Sequence, residues 1–294
     1  MATKFEELFS LYGCDSITDE QVKQEMEQLL SAHFEENNTT EVYKRCFNSI
    51  DLTSLKETDT EEEIRSMVEK VNNFEENFPD IPNVGAICVF PAMVSTVKAT
   101  LTEPIGIAAV SAGFPASQTF IEVKVAETGM CVMEGATEID VVISVGKFLA
   151  GKYDEVFEEL TEIKSACRDA HLKVILETGA LKTAANIKKA SILAMAAGAD
   201  FIKTSTGKIP VAATPEATFI MCTAIKEWNE KTGAKVGYKP AGGIATAEDA
   251  VKHYTLVKEI LGDEWLNNKM FRFGASSLAN KLLSSIRQEE VKYF

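Results

Sequence analysis

From residue 46 onward the chain alternates between two hydrophobic rhythms. Short runs of consecutive apolar or β-branched residues lie at 49–52, 86–90, 106–111, 138–144, 173–177, 200–204, 235–238 and 270–273. Between them, near 60–72, 92–101, 117–134, 151–170, 183–197, 214–231, 246–262 and 277–288, apolar residues recur at the spacing of one helix face. Continuous apolar runs bounded by turn residues suit strands buried on both faces of a parallel sheet. Eight strands, each followed by a helix, predict an α/β fold of the (β/α)8 TIM-barrel type with right-handed crossovers. A doubly wound open sheet is the runner-up. No Gly-x-Gly-x-x-Gly follows any strand, which weakens its dinucleotide-binding version.

Residues 1–45 keep a different pattern. Thr18 with Gln21 three residues on reads as a capping box, and Val22, Met26, Leu29 and Leu30 follow at helical spacing until Asn37-Asn38. This predicts an acidic helical extension attached to a catalytic barrel domain spanning 46–294. It is expected to pack on the barrel at a subunit contact, or to act as a spacer.

Composition narrows the function. Hydrophobic residues make up 46% and charged residues 25%, a soluble globular balance. No apolar run approaches the ~20 residues that cross a bilayer, and the first residues lack a signal-peptide pattern. No membrane partner is expected. The six cysteines form no Cys-x-x-Cys pair, so reduced thiols and a cytoplasmic location are expected. The three histidines, His33, His171 and His253, are isolated in sequence, which gives poor support to a metal site. A net charge of −14 argues against nucleic acid as a partner. An anionic small substrate remains compatible, because a local site can oppose the global charge.

In a barrel, chemistry gathers where strands end. The sixth run ends Phe201-Ile202-Lys203-Thr204-Ser205-Thr206-Gly207-Lys208. Burial disfavours an ammonium, and a neutral amine is a nucleophile towards carbonyl carbon, so Lys203 is a candidate for Schiff-base chemistry. A lysine that snorkels to solvent or pairs with a carboxylate is the structural alternative. The seventh run ends Tyr238-Lys239-Pro240. Neighbouring strands lie ~4.8 Å apart, so the two amines can meet and one is expected to stay neutral. In Glu138-Ile139-Asp140-Val141, Asp140 is flanked by apolar residues and is expected inside the barrel or against a partner. Glu177, at the end of the fifth run, fits a structural or a catalytic role. The loops after strands seven and eight, Ala241-Gly242-Gly243 and Gly274-Ala275-Ser276-Ser277, offer backbone N–H groups and hydroxyls to an oxyanion. Gly207 and Lys208 are expected to join them.

These segments, with Ala86-Ile87-Cys88-Val89-Phe90-Pro91, Asp51-Leu52-Thr53-Ser54-Leu55 and Arg272-Phe273-Gly274-Ala275-Ser276-Ser277, resemble the deoxyribose-phosphate aldolase family in order from about 48 to 285. The resemblance implies a metal-independent class I aldolase that needs no cofactor. Such an enzyme cleaves 2-deoxy-D-ribose 5-phosphate to D-glyceraldehyde 3-phosphate and acetaldehyde and runs the reverse addition. It also implies roles. Lys203 forms the Schiff base, Lys239 eases the loss of its proton, and Asp140 shuttles protons, by way of water. Gly207, Lys208, Gly242, Gly243, Gly274, Ser276 and Ser277 hold the phosphate of the sugar-phosphate partner. Two stretches depart from the family pattern: Gly113-Phe114-Pro115-Ala116-Ser117, and a lengthened loop at 73–83. Cys88 is read as a buried strand thiol, with reaction with an aldehyde product as the alternative. A C-terminal tail folding over the mouth would bring Tyr293 to the substrate. The rivals are a Schiff-base aldolase for another sugar phosphate and a catalytically silent sugar-phosphate binder acting through residues 1–45. A homo-oligomer is compatible with the sequence.

Overall fold

The computed structural model describes residues 4–294. Three helices come first, α1 (Lys4–Leu11), α2 (Asp19–Asn37) and α3 (Thr40–Asn48). The barrel opens with β1 (Ile50–Thr53), α4 (Glu61–Asn72) and the short α5 (Phe74–Asn77). Then β2 (Ala86–Val89) leads to α6 (Val94–Thr100), β3 (Gly106–Ser111) to α7 (Ile121–Met133), and β4 (Glu138–Val142) to α8 (Val145–Leu149) and α9 (Tyr153–Cys167). β5 (His171–Ile175) continues through α10 (Thr178–Leu181) into α11 (Ala184–Ala196). β6 (Phe201–Lys203) precedes α12 (Pro215–Thr232), β7 (Gly237–Lys239) precedes α13 (Ala247–Leu261), and β8 (Phe273–Ala275) precedes α14 (Leu278–Arg287).

All strand pairings are parallel, in the order β7-β6-β5-β4-β3-β2-β1-β8. Single bridges Tyr238–Phe271 and Ala241–Gly274 join the two ends of that order, so the sheet comes close to closing on itself. The predicted (β/α)8 barrel is therefore the fold. Several strand bounds differ from those expected, three of them for identifiable local reasons. β5 stops at Ile175 because Glu177 takes a left-handed backbone, φ +59°. β7 runs one residue further, to Lys239, paired with Lys203. β8 starts at Phe273, since the N–H groups of Met270 and Phe271 are drawn into a turn on the Asn267 carbonyl.

Threonine hydroxyls start six of the helices. Thr18, Thr39, Thr60, Thr183, Thr214 and Thr246 each accept a first-turn N–H, a contribution of ~1 kcal/mol apiece. The capping box expected at Thr18 and Gln21 is among them.

The N-terminal helices lie against the outside of the barrel and share its apolar core. Phe5 and Phe9 of α1 are buried against Tyr153 and Phe157. Asp19 of α2 accepts the Ala184 N–H at 2.7 Å, capping α11 from outside the barrel. At the far end of α2, Asn37 accepts from Lys258 of α13 at 2.9 Å. The lengthened 73–83 loop carries α5, whose Phe74 stacks on Phe47 and Phe78.

Behind β7 lies a buried polar chain. The Thr218 hydroxyl meets Tyr238 Oη at 2.7 Å and His253 Nδ1 at 2.6 Å. Burial pushes His253 down to about 4, so the folded protein holds it neutral. An unfolded histidine titrates near 6.5, so between pH 6.5 and 4 the unfolded chain gains a proton that the folded one refuses. Stability is expected to fall by roughly 3 kcal/mol across that window from this residue. Urea titrations at several pH values should give His253→Gln a visibly flatter profile there than wild type. Equal slopes would rule the assignment out.

Candidate active site

Strand alternation decides what points into the barrel. In β4, Ile139 and Val141 join the core shared with the helices, while Glu138 and Asp140 are buried inside the barrel. Asp51 of β1, Lys173 of β5, Lys203 of β6 and Lys239 of β7 reach the same interior, as does Arg272 just before β8. Lys203 and Lys239 are register partners on adjacent strands.

These seven side chains form one connected cluster. Lys203 Nζ lies 2.7 Å from Asp140 Oδ2, and Lys239 Nζ lies 2.8 Å from the same oxygen. Lys239 also pairs with Asp51 Oδ2, which Lys173 Nζ meets at 2.8 Å. Lys173 continues to Glu138, and Arg272 spans Asp51 and Glu138, with Nη2 2.9 Å from Glu138 Oε1. Burial pushes the Asp51 and Asp140 carboxyls up, but the cations around them prevail and hold both well below the usual carboxylate range. Burial pushes Lys239 down, and Asp140 and Asp51 outweigh it, so Lys239 sits above the ordinary lysine range. Arg272 is raised in the same way.

The charges do not balance. Four cations, Lys173, Lys203, Lys239 and Arg272, face three carboxylates, Asp51, Glu138 and Asp140. Lys173, Lys239 and Arg272 each touch two carboxylates, whereas Lys203 touches Asp140 alone. Lys203 is also the cluster member that borders an open cavity of about 290 Å³. Its partner Asp140 keeps one buried oxygen, Oδ1, without a hydrogen bond among the described residues. That oxygen is a free acceptor beside the amine.

The cavity wall opposite Lys203 is made of backbone and small side chains. Gly207, Gly242, Gly243 and Gly274 line it together with Lys208, Ser276 and Ser277, so the loops expected to meet there do meet. Gly242 has φ +78°, and a Cβ on it would stand 2.8 Å from Ala212 Cβ and 3.0 Å from Gly207 Cα. A Cβ on Gly274 would stand 2.7 Å from Ala241 Cβ. Ser277 caps α14 without using its hydroxyl, which leaves first-turn N–H groups facing the cavity end. Lys208 Nζ adds a positive charge at the mouth, anchored 2.6 Å from the Leu55 carbonyl. Glu177 braces this wall. It accepts the Thr206 hydroxyl at 2.6 Å and the Thr206 N–H at 3.2 Å.

Two candidates fall outside the cavity. Cys88 is buried inside the barrel with Ala108 and Val110, and burial raises its thiol pKa, which keeps it protonated. Tyr293 lies on the outer side, donating to the Lys70 carbonyl at 2.8 Å with its ring edge-on to Phe74 and Phe78. The Asn280 amide holds the tail there through the Tyr293 and Phe294 N–H groups. Asp51, Lys173 and Arg272 carry no expected role in the sequence. Their one signal is a single charge inside an apolar run, as in Ile50-Asp51-Leu52 and Leu172-Lys173-Val174.

Residues 46–282 match the DeoC/LacD family aldolases. The chain is 44% identical over 244 residues to the deoxyribose-phosphate aldolase of Homo sapiens, covering 79% of this chain and 77% of the relative. It is 43% identical over 245 residues to the deoxyribose-phosphate aldolase of Bos taurus, covering 80% and 77%. Among solved structures, the tetrameric deoxyribose phosphate aldolase from Aeropyrum pernix superposes with a TM-score of 0.66 at 25% identity, covering 89% of this chain and 96% of that one. An aldolase called QR15 gives 0.67 at 30% identity, covering 83% and 96%.

Asp51 is the shared counter-ion of Lys173, Lys239 and Arg272, so neutralising it should be severe. Asp51→Asn is expected to lower stability by ~3–5 kcal/mol, the cost of leaving buried charge uncompensated. An unchanged urea midpoint would show that those cations do not depend on it.

Proposed function

The chain belongs to the DeoC/LacD aldolase family, and from that premise we propose that it reversibly cleaves 2-deoxy-D-ribose 5-phosphate to D-glyceraldehyde 3-phosphate and acetaldehyde. It acts as a class I aldolase, through a Schiff base on Lys203. One observation carries the reading. The single amine of a buried charge cluster that reaches a cavity shares that cavity with the glycine and serine loops and Lys208.

The chemistry follows from the geometry. Lys203 in its neutral form attacks the C1 aldehyde of the open-chain sugar, and water leaves to give a protonated imine. Removal of the C3 hydroxyl proton breaks the C2–C3 bond, releasing glyceraldehyde 3-phosphate, while the imine takes up the electron pair as an enamine. A proton returns to C2, water hydrolyses the imine, and acetaldehyde departs. Asp140, with Oδ1 free, is the group positioned to take and return protons through water. Lys239 stays charged between Asp51 and Asp140, 2.8 Å from the carboxylate oxygen that also holds Lys203. Gly207, Lys208, Gly242, Gly243, Gly274, Ser276 and Ser277 hold the phosphate, which fixes C1 against Lys203. Six buried, unpaired cysteines and the lack, among the described residues, of any helix long and apolar enough to cross a membrane support a cytoplasmic enzyme.

Borohydride reduction in the presence of deoxyribose 5-phosphate, followed by peptide mapping, should put the adduct on Lys203. An adduct on Lys239 would exchange the two lysines' roles, and no adduct would remove the imine mechanism. Asp140→Asn should lose ~100- to 10,000-fold in turnover in the fraction that folds, measured per mole of native protein by circular dichroism.

A further inference from the structure

The loop between β6 and α12 carries Gly207 and Lys208, and it is pinched between two glycines from other parts of the chain. On one side stands Gly179, in the one-turn helix α10. A Cβ on Gly179 would lie 2.2 Å from the Val211 carbonyl oxygen and 2.9 Å from Val211 Cβ. The backbone at Gly179 is outside the left-handed region, so it is the close approach that requires glycine there. On the other side stands Gly242, where a Cβ would lie 2.8 Å from Ala212 Cβ and 3.0 Å from Gly207 Cα. The Ala213 N–H donates to the Gly242 carbonyl at 3.2 Å. Val211 and Ala212 are thus held between α10 and the loop after β7.

Helix α10 is built as a fixed stop. Glu177 and Lys182 bracket it with φ +59° and +67°, a left-handed backbone that residues other than glycine keep only where their surroundings impose it. The Thr178 N–H donates to the Thr204 carbonyl at 2.9 Å, and Glu177 accepts the Thr206 N–H and hydroxyl. The Thr206 hydroxyl in turn accepts the Lys208 N–H at 3.0 Å. The near arm of the loop is therefore tied to α10 by hydrogen bonds, and the far arm rests on α10 through Val211. Elsewhere the far arm has room to move, because Val211 and Ala212 border a cavity of about 470 Å³ that they share with Val22 and Ile187.

We propose that Gly179 is a positioning residue for phosphate recognition, which rests on the aldolase reading above: its contact with Val211 sets where Gly207 and Lys208 stand, and with them the preference for a phosphorylated over an unphosphorylated sugar. A methyl group at position 179 drives the Val211 carbonyl back by about 1 Å before ordinary contact is restored, and a misplacement of that size in a group that orients the substrate costs on the order of 100-fold. The loop already touches Gly242, so it yields towards the cavity and carries Gly207 with it. Lys203 is spared. It lies on β6 ahead of the loop, and its partner Asp140 lies on β4. Imine chemistry and phosphate grip are therefore separable by one substitution.

The test is Gly179→Ala, with kcat/KM measured on 2-deoxyribose 5-phosphate and on unphosphorylated 2-deoxyribose. The variant should lose on the order of 100-fold on the phosphorylated sugar, chiefly through KM, and less than about threefold on 2-deoxyribose. Equal losses on both sugars, or no loss on either, would overturn the proposal. Ala212→Gly removes the methyl that meets Gly242 and keeps the test open should Gly179→Ala misfold by circular dichroism. It should lower the same ratio at least ~10-fold, and an unchanged ratio would overturn the proposal. Titration calorimetry with inorganic phosphate reads the loop without turnover, and Gly179→Ala should bind it at least ~10-fold more weakly than wild type. A wild type that binds phosphate and cleaves neither sugar would remove the aldolase reading. Equal phosphate affinity in wild type and variant would remove this one.

Discussion

The structure turns on Asp51 and Asp140, two fully buried carboxylates each shared among cations inside the barrel. A buried ammonium is costly by itself, and so is a buried carboxylate; together they are tolerable only at hydrogen-bonding distance. The seven groups of the cluster come from β1, β4, β5, β6, β7 and the segment before β8. Strands β4 to β6 pair Lys173 with Glu138 and Lys203 with Asp140, but Asp51, Lys239 and Arg272 complete the cluster from the other side, so the last ion pairs form across the barrel.

The same cluster is deliberately incomplete on one side. Three of its cations are locked between pairs of carboxylates, and the fourth, Lys203, is held by one oxygen at the edge of the cavity. The group with the fewest counter-ions is the one that borders the cavity. The rest of the cavity lining is glycine backbone and hydroxyls in place of fixed carboxylates.

Much of this was legible in the residues. The alternation of continuous and periodic apolar runs yields the barrel because strands covered by helices need apolar residues on their outer face and leave only single charges to mark the inner one. Lys203, Lys239 and Asp140 stand out because strand ends are where a barrel does its work, and the loops at 242–243 and 274–277 because glycine and serine recur there. Asp51, Lys173 and Arg272 were not legible. Lys124 and Lys188 are also buried lysines, yet they lie between helices and pair with Glu159 and Glu227. One charge in an apolar setting does not say which side of the sheet it occupies. The helices α1 and α3 were missed because eight or nine residues offer too few repeats to declare a period. Tyr293 depends on where Asn280 holds the tail, a contact between side chain and backbone that no pattern announces.

The contact between Asn37 and Lys258 spans 221 residues of sequence. On a ribosome working at ~5–20 residues per second, α2 is finished about 10–45 s before its partner α13 exists. Through that interval Val22 and Met26, which end up buried, have no barrel to cover them. A helix made early is thus completed in its packing only when a strand-following helix made late comes to meet it.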